Sequence, residues 1–321
     1  MTILVLSRFG PALEPLLRTR LPSISGPGAM RPGEPVTLHI ATSLRELPAT
    51  LNDVEIILSF HLPRGLAGRA PRLRWVQSSG AGVDRILASD VPADVRVTRM
   101  VGGFGGPLGE YALGSLLAHR QQHEHARSLQ AAHSWSPYEV LPLAGALAGI
   151  LGAGAIGQDI GRLLNACGMR VRGLRRSGEP HPVFEDMHAP ATLHGFLRGL
   201  DFLIVVAPLT ADTRGMLDAA ALSQLPSHAF LVNIARGELL VEDALIEALR
   251  TGALAGAALD VFAEEPLPSG HPLWSLPNVR VTPHVAGLSS VPDIAEQFGA
   301  NLARYMAGSP LAHVVDRTRG Y

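Results

Sequence analysis

Residues 146–157 read ALAGILGAGAIG, an apolar run that ends in a glycine-rich turn. QDIGRLLNACG follows, with Ile156, Ile160, Leu163, Leu164 and Cys167 at helical spacing and Gly168 placed to end the helix. Gly152, Gly154 and Gly157 stand in G-x-G-x-x-G register. In that pattern the first glycine permits the tight turn. The second lets backbone approach a pyrophosphate, and the third allows close helix–strand packing. Ala155 and Ile156 open the helix, whose free N–H groups and positive dipole end would face the phosphates. A glycine triplet alone is a weak signal in a chain with 34 glycines. Its place between an apolar strand and an amphipathic helix makes it a dinucleotide loop.

The same alternation extends outward in both directions. MRVRGL, DFLIVVAP, AFLVNIA, AGAALDVF and VRVTP read as further strands, with helices such as VEDALIEALRTG between them. Upstream, ILVLS (3–7), VEIILSF (54–60) and LRWVQSS (73–79) read as short buried strands. GPGAMRPGEP (26–35) reads as a proline/glycine loop. The spacing predicts one long helix over LGEYALGSLLAHRQQHEHARSLQ (108–130) and another over EQFGANLARYMAGSP near the end. Strands alternating with helices over this length predict an α/β fold with a doubly wound parallel sheet.

Composition narrows the chemistry. The 321 residues suggest about two domains, and a net charge of −1 gives no reason to expect nucleic acid or an anionic membrane as partner. A single cysteine, Cys167, excludes an internal disulfide and a cysteine-rich zinc site, which fits a reducing cytoplasm. No signal peptide is expected, because the apolar run at the amino terminus is short and lacks a basic flank. No stretch reaches the roughly 20 apolar residues of a membrane span. All 27 Lys+Arg residues are arginine. That excludes a Walker A lysine, a pyridoxal-phosphate Schiff base and any lysine-based proton donor.

In a dinucleotide fold an acidic residue about 20 positions past the loop usually holds the adenosine ribose. Here RGLRRSG (172–178) offers Arg175, Arg176 and Ser177 instead. An arginine fork suits a 2′-phosphate through paired charge-assisted hydrogen bonds. The expected cofactor is therefore NADP(H), with NAD(H) as a possible substitute. The alternative is that these arginines are solvated surface residues.

Three motifs follow in order: NIARGELL (233–240), LDVFAEEP (259–266) and TPHVAG (282–287). Each places a polar residue just after an apolar strand, where doubly wound sheets bind ligands. Together they supply an arginine, a carboxylate and a histidine, the set that reduction of a 2-keto acid requires. Arginine pairs with the substrate carboxylate, and histidine protonates the carbonyl oxygen as hydride reaches the carbon. A carboxylate beside the histidine keeps the proton donor loaded.

From WVQSSGAGVD (75–84) to its last residue the sequence resembles the D-2-hydroxyacid dehydrogenase family. Within the family it is most similar to the bacterial glyoxylate/hydroxypyruvate reductase A subgroup, through LGEYALGSLLAHRQ, HSWSPY, LGAGAIG and VDRTRGY. The resemblance implies two Rossmann-like domains. One is a dinucleotide-binding domain over 99–289, the other a smaller discontinuous substrate domain over 1–98 and 290–321. It implies Arg236, Glu265 and His284 as catalytic residues, Glu265 being the glutamate directly before Pro266. It places Asp260 near the nicotinamide. Ala207, Pro208 and Leu209 of APLT, with Ile234 and Ala235, would lie along the cofactor. The backbone of Gly80, Ala81 and Gly82 would hold the substrate carboxylate, and Trp135 would line a substrate pocket across a homodimer interface. A core or interface anchor is the other reading of Trp135. The implied reaction is NADPH-dependent reduction of glyoxylate to glycolate and hydroxypyruvate to D-glycerate.

Other readings are weaker. His119 and His123 lie four apart in HRQQHEH (119–125), yet no HExxH pattern or third ligand accompanies them, so no metal is expected. QSSGAG (77–82) is not a G-x-S-x-G elbow. Formate dehydrogenase-like relatives carry glutamine where Glu265 stands. Other D-2-hydroxyacid dehydrogenases with bulkier keto acids share the catalytic trio. A cofactor-sensing corepressor would not need that trio.

Overall fold

The computed structural model describes residues 1–24, 36–287 and 289–321, so the loop expected at 26–35 lies outside the described residues. Contacts divide the chain into two units, Met1–Gly103 with Leu288–Tyr321, and Phe104–Gly287. The crossings differ from the boundaries expected at 98/99 and 289/290 because residues 99–101 and Ser289 bond within the first unit. The Arg99 N–H donates to the His313 carbonyl and the Met100 N–H to the Gly80 carbonyl. Val101 exchanges both its backbone groups with the Gln297 side chain, and the Ser289 hydroxyl donates to the Ser79 carbonyl.

The first unit is built on five parallel strands: β1 (Thr2–Leu6), β2 (Thr37–Ala41), β3 (Val54–Ser59), β4 (Trp75–Ser78) and β5 (Arg96–Thr98). Their order is β2-β1-β3-β4-β5, with Val5 opposite both Ile40 and Leu58. Every residue of β3 is buried, as expected for a parallel strand covered on both faces. The final helix, Val291–Met306, packs against Gly10–Ile24, and its Phe298 stacks on Trp75 at 5.2 Å.

The second unit holds seven parallel strands: β6 (Leu147–Leu151), β7 (Arg170–Leu174), β8 (Asp186–His188), β9 (Phe202–Val205), β10 (Phe230–Asn233), β11 (Gly256–Leu259) and β12 (Val279–Val281). The order β12-β11-β10-β9-β6-β7-β8 reverses direction at β6, the topological switch point where such sheets bind ligands. Helix Ala155–Ala166 leaves that point, burying Gly157, Ile160, Gly161 and Leu164, while Leu163 and Cys167 are only partly covered. Gly168 ends it at φ 76°, and the Met169 N–H returns to the Leu164 carbonyl.

Two departures from the sequence reading have physical causes. β2 and β8 give no clear apolar run because each is a sheet edge carrying polar residues, and β5 is only three residues long, its outer side bonded to 313–315 rather than to a further strand. The single helix expected over 108–130 is two, Gly105–Arg120 and His123–Ala131. The chain turns at Gln122, whose φ is 53°, and the Gln122 side-chain amide donates to the Glu139 carbonyl. Beyond the turn no residue of the second helix is buried, so no core face extends its register. His119 and His123 therefore do not share a helix, and the His119 ring instead stacks on Phe230 at 4.3 Å.

Candidate active site

The phosphate loop follows β6. Gly152 adopts φ 108°, and a Cβ there would overlap the Val206–Ala207 backbone, so the turn closes only on glycine. Gly154 caps the helix without any side-chain cap, and a Cβ placed on it meets nothing within 4 Å. Gly154 and Ala155 are exposed. The Gly154 N–H donates to the Gly152 carbonyl, and the first bond of the helix comes from the Gln158 N–H to the Gly154 carbonyl, leaving the N–H groups of Ala155, Ile156 and Gly157 without an intrahelical acceptor. This cradle fits a dinucleotide pyrophosphate, a group that favours unpaired N–H donors at the positive end of a helix. Ala207 and Leu209 are buried and Pro208 exposed in the turn after β9, while Ile234 and Ala235 are buried after β10.

At the end of β7 the three expected residues divide. Arg175 is half-buried and folds back on its own loop, its Nε and terminal nitrogen donating to the Glu179 carbonyl at 3.1 and 2.7 Å. Arg176 and Ser177 are exposed.

The three residues expected to be catalytic, Arg236, Glu265 and His284, all lie in the second unit. Arg236 follows β10 in extended conformation, and its terminal nitrogen donates to the Ala235 carbonyl at 2.6 Å. Fully buried Asn233 shapes this loop, donating to the Arg236 carbonyl at 2.9 Å and accepting the Ala235 N–H at 3.1 Å. The next residue, Gly237, lies so close to Phe262 and Ala263 that a Cβ would overlap their backbone. The arginine loop is thereby seated against the loop that carries Glu265.

Glu265, whose bond to Pro266 is cis, turns inward. Its Oε1 accepts the Phe262 N–H at 3.1 Å and its Oε2 lies 2.9 Å from His284 Nδ1. The pair is partly buried, with side-chain exposures of 28% for His284 and 15% for Glu265. The carboxylate at Nδ1 fixes the orientation of the ring. His284 itself has φ 54°.

Asp260, only 1% exposed, gathers the chain around that histidine. Its Oδ1 accepts the Thr282 hydroxyl at 2.5 Å and the Val285 N–H at 2.9 Å, and its Oδ2 accepts the Ala286 N–H at 2.9 Å. Its carbonyl accepts the His284 N–H at 2.8 Å. Asp260, expected from the sequence beside the nicotinamide, is seen here shaping the histidine loop. Thr282 and Asn233 were not singled out from sequence, although both sit inside the motifs that carry the trio.

In the first unit the Gly80 N–H is used by Ser78 and the Gly82 carbonyl accepts the Ser78 hydroxyl. The N–H groups of Ala81 and Gly82 have no partner among the described residues. Trp135 is 98% exposed, which removes the reading of a core anchor within this chain.

A parallel sheet with a phosphate loop at its switch point, and an imidazole backed by a carboxylate in the same unit, defines a nicotinamide-dependent oxidoreductase. Residues 113–286 match the family model described as D-isomer specific 2-hydroxyacid dehydrogenase, NAD binding domain. The chain belongs to the D-2-hydroxyacid dehydrogenase family. It is 34% identical over 281 residues to a glyoxylate/hydroxypyruvate reductase A of Serratia proteamaculans, covering 85% of this chain and 90% of that protein. It is also similar to a Xanthobacter autotrophicus D-isomer specific 2-hydroxyacid dehydrogenase solved with NADPH and MES. That match has TM-score 0.86 and 33% identity over 100% of this chain and 99% of the other. An NADPH-dependent glyoxylate/hydroxypyruvate reductase of Sinorhizobium meliloti, solved with NADP and sulfate, matches at TM-score 0.86 and 32% identity over 100% and 99%. Among the described residues no helix is long and apolar enough to cross a membrane.

Proposed function

We propose that this protein reduces small 2-keto acids with NADPH, glyoxylate and hydroxypyruvate foremost, to the corresponding 2-hydroxy acids. The observation that carries the reading is the His284–Glu265 pair at 2.9 Å, set in the same unit as an open phosphate loop and the Arg236 turn. Bacterial relatives named as glyoxylate/hydroxypyruvate reductases support the choice of substrates, and neighbours solved with NADPH or NADP support the cofactor.

The N–H groups of Ala155 and Ile156, reached past the bare Cα of Gly154, would hold the pyrophosphate. Exposed Arg176 and Ser177 would meet the 2′-phosphate, with Arg175 fixing the loop that presents them. Bound NADPH supplies the hydride that adds to the keto carbon. Arg236 takes the substrate carboxylate through its planar fork. His284 gives its Nε2 proton to the carbonyl oxygen as negative charge develops there, and Glu265 holds the ring in place through Nδ1. The neutral imidazole left behind regains its proton from water.

The test is nicotinamide oxidation by the purified protein with glyoxylate, hydroxypyruvate, pyruvate and phenylpyruvate, each with NADPH and with NADH. Fast turnover of the first two with NADPH is expected. Preference for phenylpyruvate would overturn the substrate assignment. No turnover with any keto acid would overturn the enzyme reading itself.

A further inference from the structure

Behind the Asp260 clamp lies a hydrogen-bonded chain that the mechanism above does not use. Tyr111, on the helix Gly105–Arg120, places its hydroxyl 2.7 Å from Thr282 Oγ1. The Thr282 hydroxyl lies 2.5 Å from Asp260 Oδ1. A threonine hydroxyl has one proton, and the carboxylate can only accept. Thr282 must therefore donate to Asp260, and Tyr111 must donate to Thr282. The direction runs one way, from tyrosine to threonine to carboxylate. Burial, opposed by its bond to Thr282 and reinforced by the charge of Asp260, pushes the Tyr111 phenol above its ordinary value, so it stays a donor.

The far end of this chain is the turn that carries His284. Asp260 accepts from Thr282, Val285 and Ala286 through its side chain and from His284 through its carbonyl. The left-handed φ of 54° at His284 is unfavourable for a non-glycine residue. It persists only where its surroundings over-determine it, and the bonds to Asp260 do so here. If the carboxylate swings, the backbone under the imidazole loses its anchor even though Glu265 still holds the ring.

We infer that Tyr111 is a positioning residue for His284, acting through Thr282 and Asp260 to lock the carboxylate in the orientation that fixes the histidine turn. This rests on the reading of His284 as proton donor, and Tyr111 touches neither substrate nor reacting atoms in that role. Removing the phenol hydroxyl leaves Thr282 free to rotate away and Asp260 with one fewer fixed donor. Proton transfer then suffers from misplacement, an effect worth up to roughly a hundredfold for a shift near 1 Å. Substrate affinity changes little.

The experiment compares Tyr111→Phe, Thr282→Val and Thr282→Ser in two measurements. In the cofactor-free protein, amide hydrogen exchange at Val285 and Ala286 is expected to quicken by about tenfold in Tyr111→Phe and Thr282→Val. Ile204 in β9 stays unchanged, and Thr282→Ser behaves as wild type. In turnover, the same two variants lose kcat by roughly tenfold or more with KM for the keto acid nearly constant, and serine restores it. Unchanged exchange and kcat in Tyr111→Phe would overturn the inference, as would acceleration at Ile204 equal to that at Ala286. If the wild-type protein turns over no keto acid, the functional reading fails, and the exchange measurement still decides whether Tyr111 holds the turn.

Discussion

His284 Nδ1 lies 2.9 Å from Oε2 of Glu265, whose other oxygen is held by the Phe262 N–H at 3.1 Å. The imidazole is thus oriented by a carboxylate that is itself fixed, so its chemistry can be removed without disturbing the phosphate loop. His284→Gln is expected to lower kcat by about 10²–10⁴-fold, the usual worth of a positioned proton donor. NADPH affinity, read by quenching of protein fluorescence, stays close to wild type. Parallel loss of cofactor binding would argue that the histidine is structural.

Cofactor discrimination falls on the loop after β7. Arg175 spends its guanidinium on the Glu179 carbonyl, whereas Arg176 and Ser177 are exposed. Hydrogen bonds to a charged group contribute about 1.5–3 kcal/mol. Arg176→Ala is therefore expected to weaken NADPH binding by roughly tenfold or more, leaving NADH nearly unchanged. Arg175→Ala, which frees the loop, is expected to weaken both. Titration of each variant with both nucleotides checks this. Equal effects of Arg176→Ala on the two would remove the 2′-phosphate assignment.

The first unit contains a buried polar network that tests a structural claim. Trp75 Nε1 donates to Thr98 Oγ1 and Thr98 donates to Gln77 Oε1, both at 2.7 Å. Asn301, 2% exposed, donates at 3.1 Å to Gln77 and to the Ala312 carbonyl, and accepts the Ala312 N–H at 2.8 Å. Asn301→Leu removes the partners of the half-buried Ala312 groups and one donor to the buried Gln77 Oε1. The expected loss is about 1–3 kcal/mol per stranded group, seen as a lower urea midpoint. A midpoint equal to wild type would show that the segment after the last helix repairs its own hydrogen bonding.

What could be read in the sequence was whatever depends on neighbours along the chain. Gly152, Gly154 and Gly157 sit inside one turn, and Arg236, Glu265 and His284 each follow a recognisable apolar strand. Pairings across the fold left no such trace. Tyr111 and Thr282 are 171 residues apart, and no periodicity couples them. The edge strands β2 and β8 carry no apolar signature because an edge strand's side chains need not be apolar, and β5 is three residues whose outer partner lies far along the chain, at 313–315. The commitment of Arg175 to Glu179 was equally invisible, since an arginine at a strand end reads the same whether it meets a phosphate or a carbonyl.

Trp135 at 98% exposure stands with Tyr138, Val140 and Leu141 in a run of exposed large apolar side chains. Such a patch is characteristic of an interaction surface, and the family resemblance points to a second copy of the chain. Trp135→Glu together with Leu141→Glu is expected to convert a dimer into monomers in sedimentation equilibrium, with NADPH binding retained. A wild-type protein that is monomeric at micromolar concentration would overturn the homodimer.

Two histidines set an acid limit on stability. Burial, with the nearby Arg85 charge, pushes His61 below its ordinary value of 6.5, and burial, with Arg120 and Arg280, does the same to His119. In the folded chain both resist a proton that the unfolded chain accepts. The unfolded state therefore binds more protons as pH falls from 6.5 towards the lowered folded values, and stability declines across that window. Above 6.5 both states hold the neutral ring and the contribution is fully present. His119→Phe keeps an aromatic ring against Phe230, 4.3 Å away in the native stack, but cannot titrate. Its urea midpoint should therefore fall less than that of wild type between about pH 7.5 and about pH 5.5. Carboxylates act equally on both proteins and cancel in the comparison. Identical declines would mean that His119 takes up its proton in the folded chain as readily as in the unfolded one, and that the stack on Phe230 opens to water on acidification.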